Sequence, residues 1–360
     1  MWTVALGYLG AVIGAGFVSG QEIVQFFVIY RRGGWYGVLV AGVLFCVMGG
    51  TLLSLCNACR VSSYQQLLKV TFGPTWSKVL DFGLSVFLFF GICTMFAASG
   101  AVFYEHLYLS KDLGILAAYL GVLTLLAGGL RGLVISYNLL VPVKILLLLI
   151  VAGYAALFTE AAETQPCGAY IFFTSIDYWG LAAVLYVAYN FALAMVVLTQ
   201  YQALVGRKEG ISGAAIGGLM LGGLAATYYL ALHKFMPTTL YYEVPMLFIA
   251  GNISALAKWT YVIVLWVGIL TTAIANSYGF VQRFSEFTGM SYRLSLWLIL
   301  TAALPLSFKS FSFLVATVYP LFGVLGIVIL AGVMVKSATV LARPFLSWPL
   351  AWWARFSKEG

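Results

Sequence analysis

The chain has 360 residues, 63% of them hydrophobic and 8% charged, with a mean hydropathy of +1.01. That exceeds what a soluble domain can expose, so the formal net charge of +8 reads as membrane orientation and not as a nucleic-acid footprint. A spanning helix takes roughly 20 mostly apolar residues, and ten such stretches follow one another: 3–30, 34–57, 79–107, 113–130, 138–158, 178–204, 211–232, 257–285, 291–307 and 312–336. Strand-period alternation is absent. The expected class is an all-α polytopic membrane protein whose immediate partner is the lipid bilayer.

The first stretch lacks a basic n-region and a small-residue cleavage site, so it reads as a retained span. Gly10, Gly14, Gly16 and Gly20 crowd it, each costing about 1 kcal/mol of helix stability relative to Ala. Irregular backbone at membrane depth survives only against protein or a wet cavity. Small residues also serve close helix packing, but Ser19, Gln21 and Glu22 sit beside these glycines, and polar groups at such depth are usually functional. The pattern predicts a helix that breaks at a ligand site.

Further along, Cys56-Asn-Ala-Cys59 has metal-like spacing, but no second pair or nearby His completes a tetrahedral set. The five cysteines are odd in number and imply no disulfide framework. Residues 59–78, with Lys69 and Gly73-Pro74, read as an amphipathic cytoplasmic loop. In the fifth stretch Lys144 lies about 9 Å into the membrane if the helix starts near Asn138; it either snorkels back or has an internal partner. The sixth stretch carries Tyr189 and Asn190 at its centre, and Asn either exposes backbone at a break or bonds a neighbouring helix. Gly14 precedes Gly34 by the interval that separates Asn190 from Gly210, and both later glycines open Gly-rich segments. Five spans before the second unit give it the opposite orientation, the arrangement of inverted-repeat transporters. Residues 234–256 read as an outer loop with helical turns, suited to a lid.

With the N-terminus cytoplasmic, Arg60, Lys69, Lys78, Arg131, Arg207, Lys208, Arg283, Arg293, Lys336, Arg343, Arg355 and Lys358 fall inside. Outside fall half as many: Arg31, Arg32, Lys111, Lys234, Lys258 and Lys309. The positive-inside rule then puts both termini in the cytoplasm, in an inner (plasma) membrane. The Trp- and Arg-bearing tail, 341–360, is expected to lie along the inner surface.

Gly10-Ala-Val-Ile-Gly-Ala-Gly-Phe17, then Gly20-Gln-Glu-Ile23 and Gln25-Phe-Phe27, resembles the first-helix signature of the YkvI-like membrane proteins, among the amino acid, polyamine and organocation transporters with the LeuT fold. Asn138 with Val141-Pro142, Tyr189-Asn190 and Thr271-Thr-Ala-Ile-Ala-Asn276 extend the likeness loosely over the chain. The resemblance implies a 5+5 inverted repeat, 1–160 and 177–340, with helices 1 and 6 broken. It places the substrate at Gly14, Ala15, Gly16 and Phe17, with Ser19 nearby, and at Tyr189, Asn190 and Phe191. An outer half-helix beginning near Phe17 would turn free N–H groups and a positive dipole end towards a carboxylate. Glu22, further outward, would bind a substrate amine, carry a proton or brace the gate. Sodium-coupled members hold an ion at positions matching Gly10, Ile13, Gly268, Thr271 and Thr272, whose hard oxygens suit it. In sodium-independent relatives a fifth-helix lysine takes the ion's place, and Lys144 matches that lysine.

The expected function is secondary transport of a small amino acid or related zwitterion, without a cofactor and with sodium the one inorganic ligand left open. No GxxxxGK[ST] segment is present, so the energy should come from a gradient or exchange. The alternatives are a sodium symporter using Thr271 and Thr272, and a sensor of the same fold. His106 and His233 have no convergent nucleophile or metal set, which argues against an enzyme.

Overall fold

Ser63, Gln66 and Gly73-Pro74 set the entry to the longest early helix, and they show how local chemistry shapes this all-helical chain. The Ser63 hydroxyl caps the helix by accepting the Gln66 N–H at 3.3 Å, and the Gln66 side chain reaches back past the cap to accept the Ser62 N–H at 3.2 Å, a variant of the capping box. Gly73, at φ 80° and ψ 176°, then kinks the helix before Pro74. The stretch expected as a loop is therefore largely helical, joined through the kink to the third span.

The computed structural model describes residues 1–127, 130–159, 178–201 and 205–356, with side chains in 1–126, 144–159, 178–199 and 205–340. Its helices are α1 (Trp2–Val12), α2 (Ala15–Ser19), α3 (Gln21–Phe26), α4 (Arg32–Cys59), α5 (Tyr64–His106), α6 (Lys111–Ala127), α7 (Leu130–Phe158), α8 (Trp179–Tyr201), α9 (Arg207–Lys234), α10 (Pro245–Ile253), α11 (Ala255–Thr288), α12 (Tyr292–Ser307) and α13 (Phe311–Phe356). Every apolar stretch read from the sequence falls on one of these, the first on the train α1–α3. Among the described residues, six helices are long and apolar enough to cross a membrane by length and composition: α4, α5, α8, α9, α11 and the 311–340 part of α13. The side chains of Arg131, Asn138, Val141, Pro142 and the tail from 341, and Cys167 altogether, lie outside the described residues.

The first span breaks twice. Ile13 ends α1, Gly14 is extended at φ −83° and ψ −177°, and Gly20 ends α2 in the left-handed region at φ 83°. Ser19 bridges the second break: its hydroxyl donates to the Gly16 carbonyl at 2.8 Å and accepts the Gln21 N–H at 3.2 Å. The expected outer half-helix from Phe17 thus starts earlier, at Ala15, and lasts only five residues. So short a helix sums few peptide dipoles.

The sixth span does not break. α8 runs continuously through Tyr189, Asn190 and Phe191. The segment has no glycine between Leu181 and Tyr201, and the Asn190 side-chain amide donates to the Tyr186 carbonyl one turn back, at 3.0 Å. Asn190 therefore bonds within its own helix, and neither of the two roles expected for it is filled.

α4 and α9 pack at backbone distance. A methyl group on Gly222 would stand 2.6 Å from the Gly42 Cα, and one on Gly218 would overlap the Cys46 backbone. The 176-residue interval from Gly34 to Gly210 also takes Gly42 to Gly218 and Cys46 to Gly222. The two contacts are therefore images of each other when the halves are exchanged. Gly49 against Ala214 continues the series in the antiparallel sense.

Candidate functional site

The first break opens onto a cavity of about 600 Å³ between α1–α3, α5, α8, α11 and α13. Its inner end is walled by Gly14, Ala15, Gly16, Glu22, Tyr189 and Asn190. Its mouth lies at exposed Gln65, Gln282 and Glu286, at the bundle face where α4 and α11 end and α5 and α9 begin. The opposite face is shut. Phe27 packs edge-on against Tyr186 at 4.9 Å, the Tyr229 hydroxyl donates to the Arg31 carbonyl, and Trp179 covers Gly33. α10, in the segment expected to form a lid, places Met246 directly against Gly20. The second break of the first span is thus what the lid covers.

Glu22 is the charged side chain of the inner end and is 3% exposed. One oxygen accepts the Tyr189 hydroxyl at 2.5 Å. The other lies over Gly16, where any Cβ would overlap the carboxylate. Gly16 is therefore required by a close approach, since its backbone is ordinary helix. Glu22 and Tyr189 tie α3 to α8 across the cavity.

The residues expected at a cation site divide. Lys144, 5% exposed on α7, donates from Nζ to the Ile13 carbonyl at 2.7 Å, and its methylenes run beside Gly268 of α11. The fifth, first and eighth spans thus meet at one ammonium. The Thr271 and Thr272 hydroxyls both donate to the Gly268 carbonyl of their own helix, at 3.0 and 2.9 Å. Gly10 and Thr272 face the cavity.

Three residues expected at the substrate are buried elsewhere and do not line the cavity. Phe17 packs on Tyr228 at 5.0 Å, Ser19 is spent on the second break, and Phe191 faces away. Two that sequence reasoning missed, Phe87 of α5 and Tyr319 of α13, do line it. Aromatic residues at helical spacing look like core, and nothing local distinguishes these two. At the mouth, Arg283 pairs with Asp81 at 3.3 Å and lies 5.0 Å over the Tyr64 ring, while the Tyr64 hydroxyl donates to Asp81 at 2.7 Å. This cluster joins α11 to both sides of the α5 kink.

No family model matches the chain. It is 28% identical over 336 residues, 93% of this chain and 95% of the relative, to the uncharacterized membrane protein YkvI of Bacillus subtilis (strain 168). It is 24% identical over 323 residues, 89% and 92% of the two chains, to the uncharacterized protein YyaD of the same organism. Among solved structures it is similar to a manganese transporter of Eremococcus coleocola, with TM-score 0.57, 12% identity, and 96% of this chain and 87% of that one covered. It is also similar to the inward-facing conformation of Mhp1, with TM-score 0.54, 12% identity, and 95% and 77% covered. The break in the first span, the packed apolar helices and these likenesses agree: the chain is a polytopic helical membrane protein with the LeuT fold, similar in sequence to YkvI over most of its length.

Proposed function

We propose that the chain is a secondary transporter of a small amino acid or related zwitterionic solute, working by alternating access. The observation that carries this reading is the one-sided cavity at the first break, open past Gln65 and Glu286 and shut beneath α10 and Tyr186. A site reached from one face only, at a discontinuous helix, is what alternating access needs. Coupling is independent of sodium and uses protons or counter-substrate, with the Lys144 ammonium standing where sodium-coupled members of the fold hold an ion. Its hydrogen bond to the Ile13 carbonyl, one of the oxygens a sodium ion would use, supports this.

A divalent metal is the cargo named for one structural neighbour. Here, among the described residues, no three His, Cys, Asp or Glu side chains come together, which disfavours that cargo. Uptake of labelled amino acids into proteoliposomes, with sodium and proton gradients imposed separately, tests the reading. Accumulation above the binding stoichiometry is expected. Stoichiometric binding without filling of the lumen would make the protein a sensor, and sodium-driven accumulation would move the cation to Gly10, Ile13, Gly268, Thr271 and Thr272.

A further inference from the structure

We propose that the inner end of the cavity is an ammonium site, in which the Glu22 carboxylate and the rings of Phe87, Tyr189 and Tyr319 hold the cationic nitrogen of the solute. The proposal rests on the transport reading above and narrows its substrate to solutes that carry an ammonium group.

Charge gives the first reason. Among the described residues the ion pairs are His106 with Glu105 and Arg283 with Asp81, and none involves Glu22. Lys144, the other buried charge of the core, is engaged with the Ile13 carbonyl. The Tyr189 hydroxyl gives Glu22 a hydrogen bond but no compensating charge. A carboxyl this deep must either keep a proton or meet a cation, and Glu22 lines the cavity from which a cation would reach it.

Ring geometry gives the second. Tyr189 and Tyr319 have centroids 5.1 Å apart, Phe87 lies 6.2 Å from Tyr189 and 6.1 Å from Tyr319, and all three line the cavity with Glu22. Three helices, α5, α8 and α13, thus contribute one ring each to a single corner. The negative faces of aromatic rings attract a desolvated ammonium, and a carboxylate beside them supplies the full countercharge. Among the described residues the corner offers no fixed cation for a carboxylate ligand, so the carboxylate of a zwitterion would point along the cavity towards the mouth, where Arg283 lies.

Thermal unfolding of the purified full-length protein tests the site. The probes are matched triplets, each an amino acid with its decarboxylated amine and its deaminated carboxylate, such as alanine, ethylamine and propionate. Specific ligands raise the midpoint by mass action. The amino acid or the amine should raise the midpoint of the unmutated protein, and the carboxylate should not. Glu22→Gln, close in size and still able to accept from Tyr189, should weaken that binding at least tenfold. Tyr319→Leu should weaken it severalfold and Tyr319→Phe should not, which keeps the proposal falsifiable if Glu22→Gln fails to fold. An amino acid bound equally by the unmutated protein and Glu22→Gln overturns the ammonium site and leaves the transport reading standing. Carboxylates bound as well as their parent amino acids overturn it too. Amines bound in preference to every zwitterion uphold the site and overturn the zwitterion in the transport reading, while a panel that binds nowhere overturns both.

Discussion

The Lys144 ammonium donates a 2.7 Å hydrogen bond to the carbonyl of Ile13, the residue at which α1 ends. Carbonyls at a helix C-terminus have no partner within the helix, and at this depth no bulk water replaces one. Lys144 therefore satisfies a group that the break itself creates. The same bond fastens α7 to the inner half of the first span, close to Gly268 of α11.

Sodium should then be without effect. At fixed ionic strength, exchanging sodium for choline is expected to leave ligand affinity and uptake unchanged. Lys144→Met keeps much of the aliphatic length but strands the Ile13 carbonyl. Losing a hydrogen bond from a charged donor predicts destabilisation of about 1.5–3 kcal/mol, read as a lower unfolding midpoint, together with loss of uptake. Full uptake by Lys144→Met would remove the lysine from the coupling machinery.

Gly14, Gly16 and Gly20 of the first span should respond differently to alanine. At Gly14 the backbone suits any residue, and a methyl group meets Thr272 at an ordinary 3.7 Å, so Gly14→Ala should change stability by no more than about 0.5 kcal/mol. Gly20→Ala forces a side chain into the left-handed region and against Met246 of the lid, predicting a loss of about 1–2 kcal/mol or more. Gly16→Ala displaces the Glu22 carboxylate from the Tyr189 hydroxyl, so it should abolish ligand-induced stabilisation and also lower the unliganded midpoint, by about 1 kcal/mol or more. Equal midpoints for all three would contradict the geometry.

Those glycines also show how far the sequence carries. A first-span break was legible because four glycines next to Ser19 and Glu22 leave a membrane helix few ways to stay regular. Its second interruption was not, since the Ser19 hydroxyl bonds that bridge it and the Met246 side chain that covers Gly20 belong to the folded structure and not to any pattern in the chain. The expectation of a broken sixth span failed for an opposite reason: Asn190 has a polar side chain, but that side chain bonds back to Tyr186 without disturbing the helix. Ser63 and Gln66 carried a capping-box signal for the start of α5 that polarity and Gly73-Pro74 outweighed. The aromatic corner was illegible because Phe87, Tyr189 and Tyr319 come together only through tertiary packing.

At the cavity mouth, Asp81→Asn removes the ion pair with Arg283 but keeps an acceptor for the Tyr64 hydroxyl. Both charged side chains are partly exposed, 32% for Asp81 and 21% for Arg283. Pairs of that kind contribute about 1 kcal/mol or less, so the unfolding midpoint should hardly move. The pair nevertheless links α11 to α5 beside Gln65, and loosening it should change access to the mouth. A cysteine introduced at Gln65, in a background without the native cysteines, is expected to react with a membrane-impermeant thiol reagent at a rate that Asp81→Asn alters severalfold. An unchanged rate would show that the cluster fixes helix packing and does not control the mouth.

Beyond the opposite face, two carboxylates moor the lid. Glu105 at the end of α5 accepts the N–H groups of Glu243 and Val244 at 2.9 and 3.3 Å, and Glu243 in turn accepts those of Phe311 and Ser312 at the start of α13. Burial is the largest influence on Glu243 and outweighs the Lys111 charge and the backbone donors, raising its carboxyl above the ordinary 4.5. A raised carboxyl binds its proton more tightly folded than unfolded. Its contribution to stability is therefore fully present below the unfolded value near 4.5 and is lost as pH rises through the higher folded value. Glu243→Gln has no proton to lose and should lack this component. The unfolding midpoint of the unmutated protein, taken relative to Glu243→Gln across that window, is expected to fall as pH rises and to level off above it. A difference that grows with pH instead would mean that the hydrogen bonds from Phe311 and Ser312 outweigh burial, and that the ionised carboxylate is what holds the lid to α13.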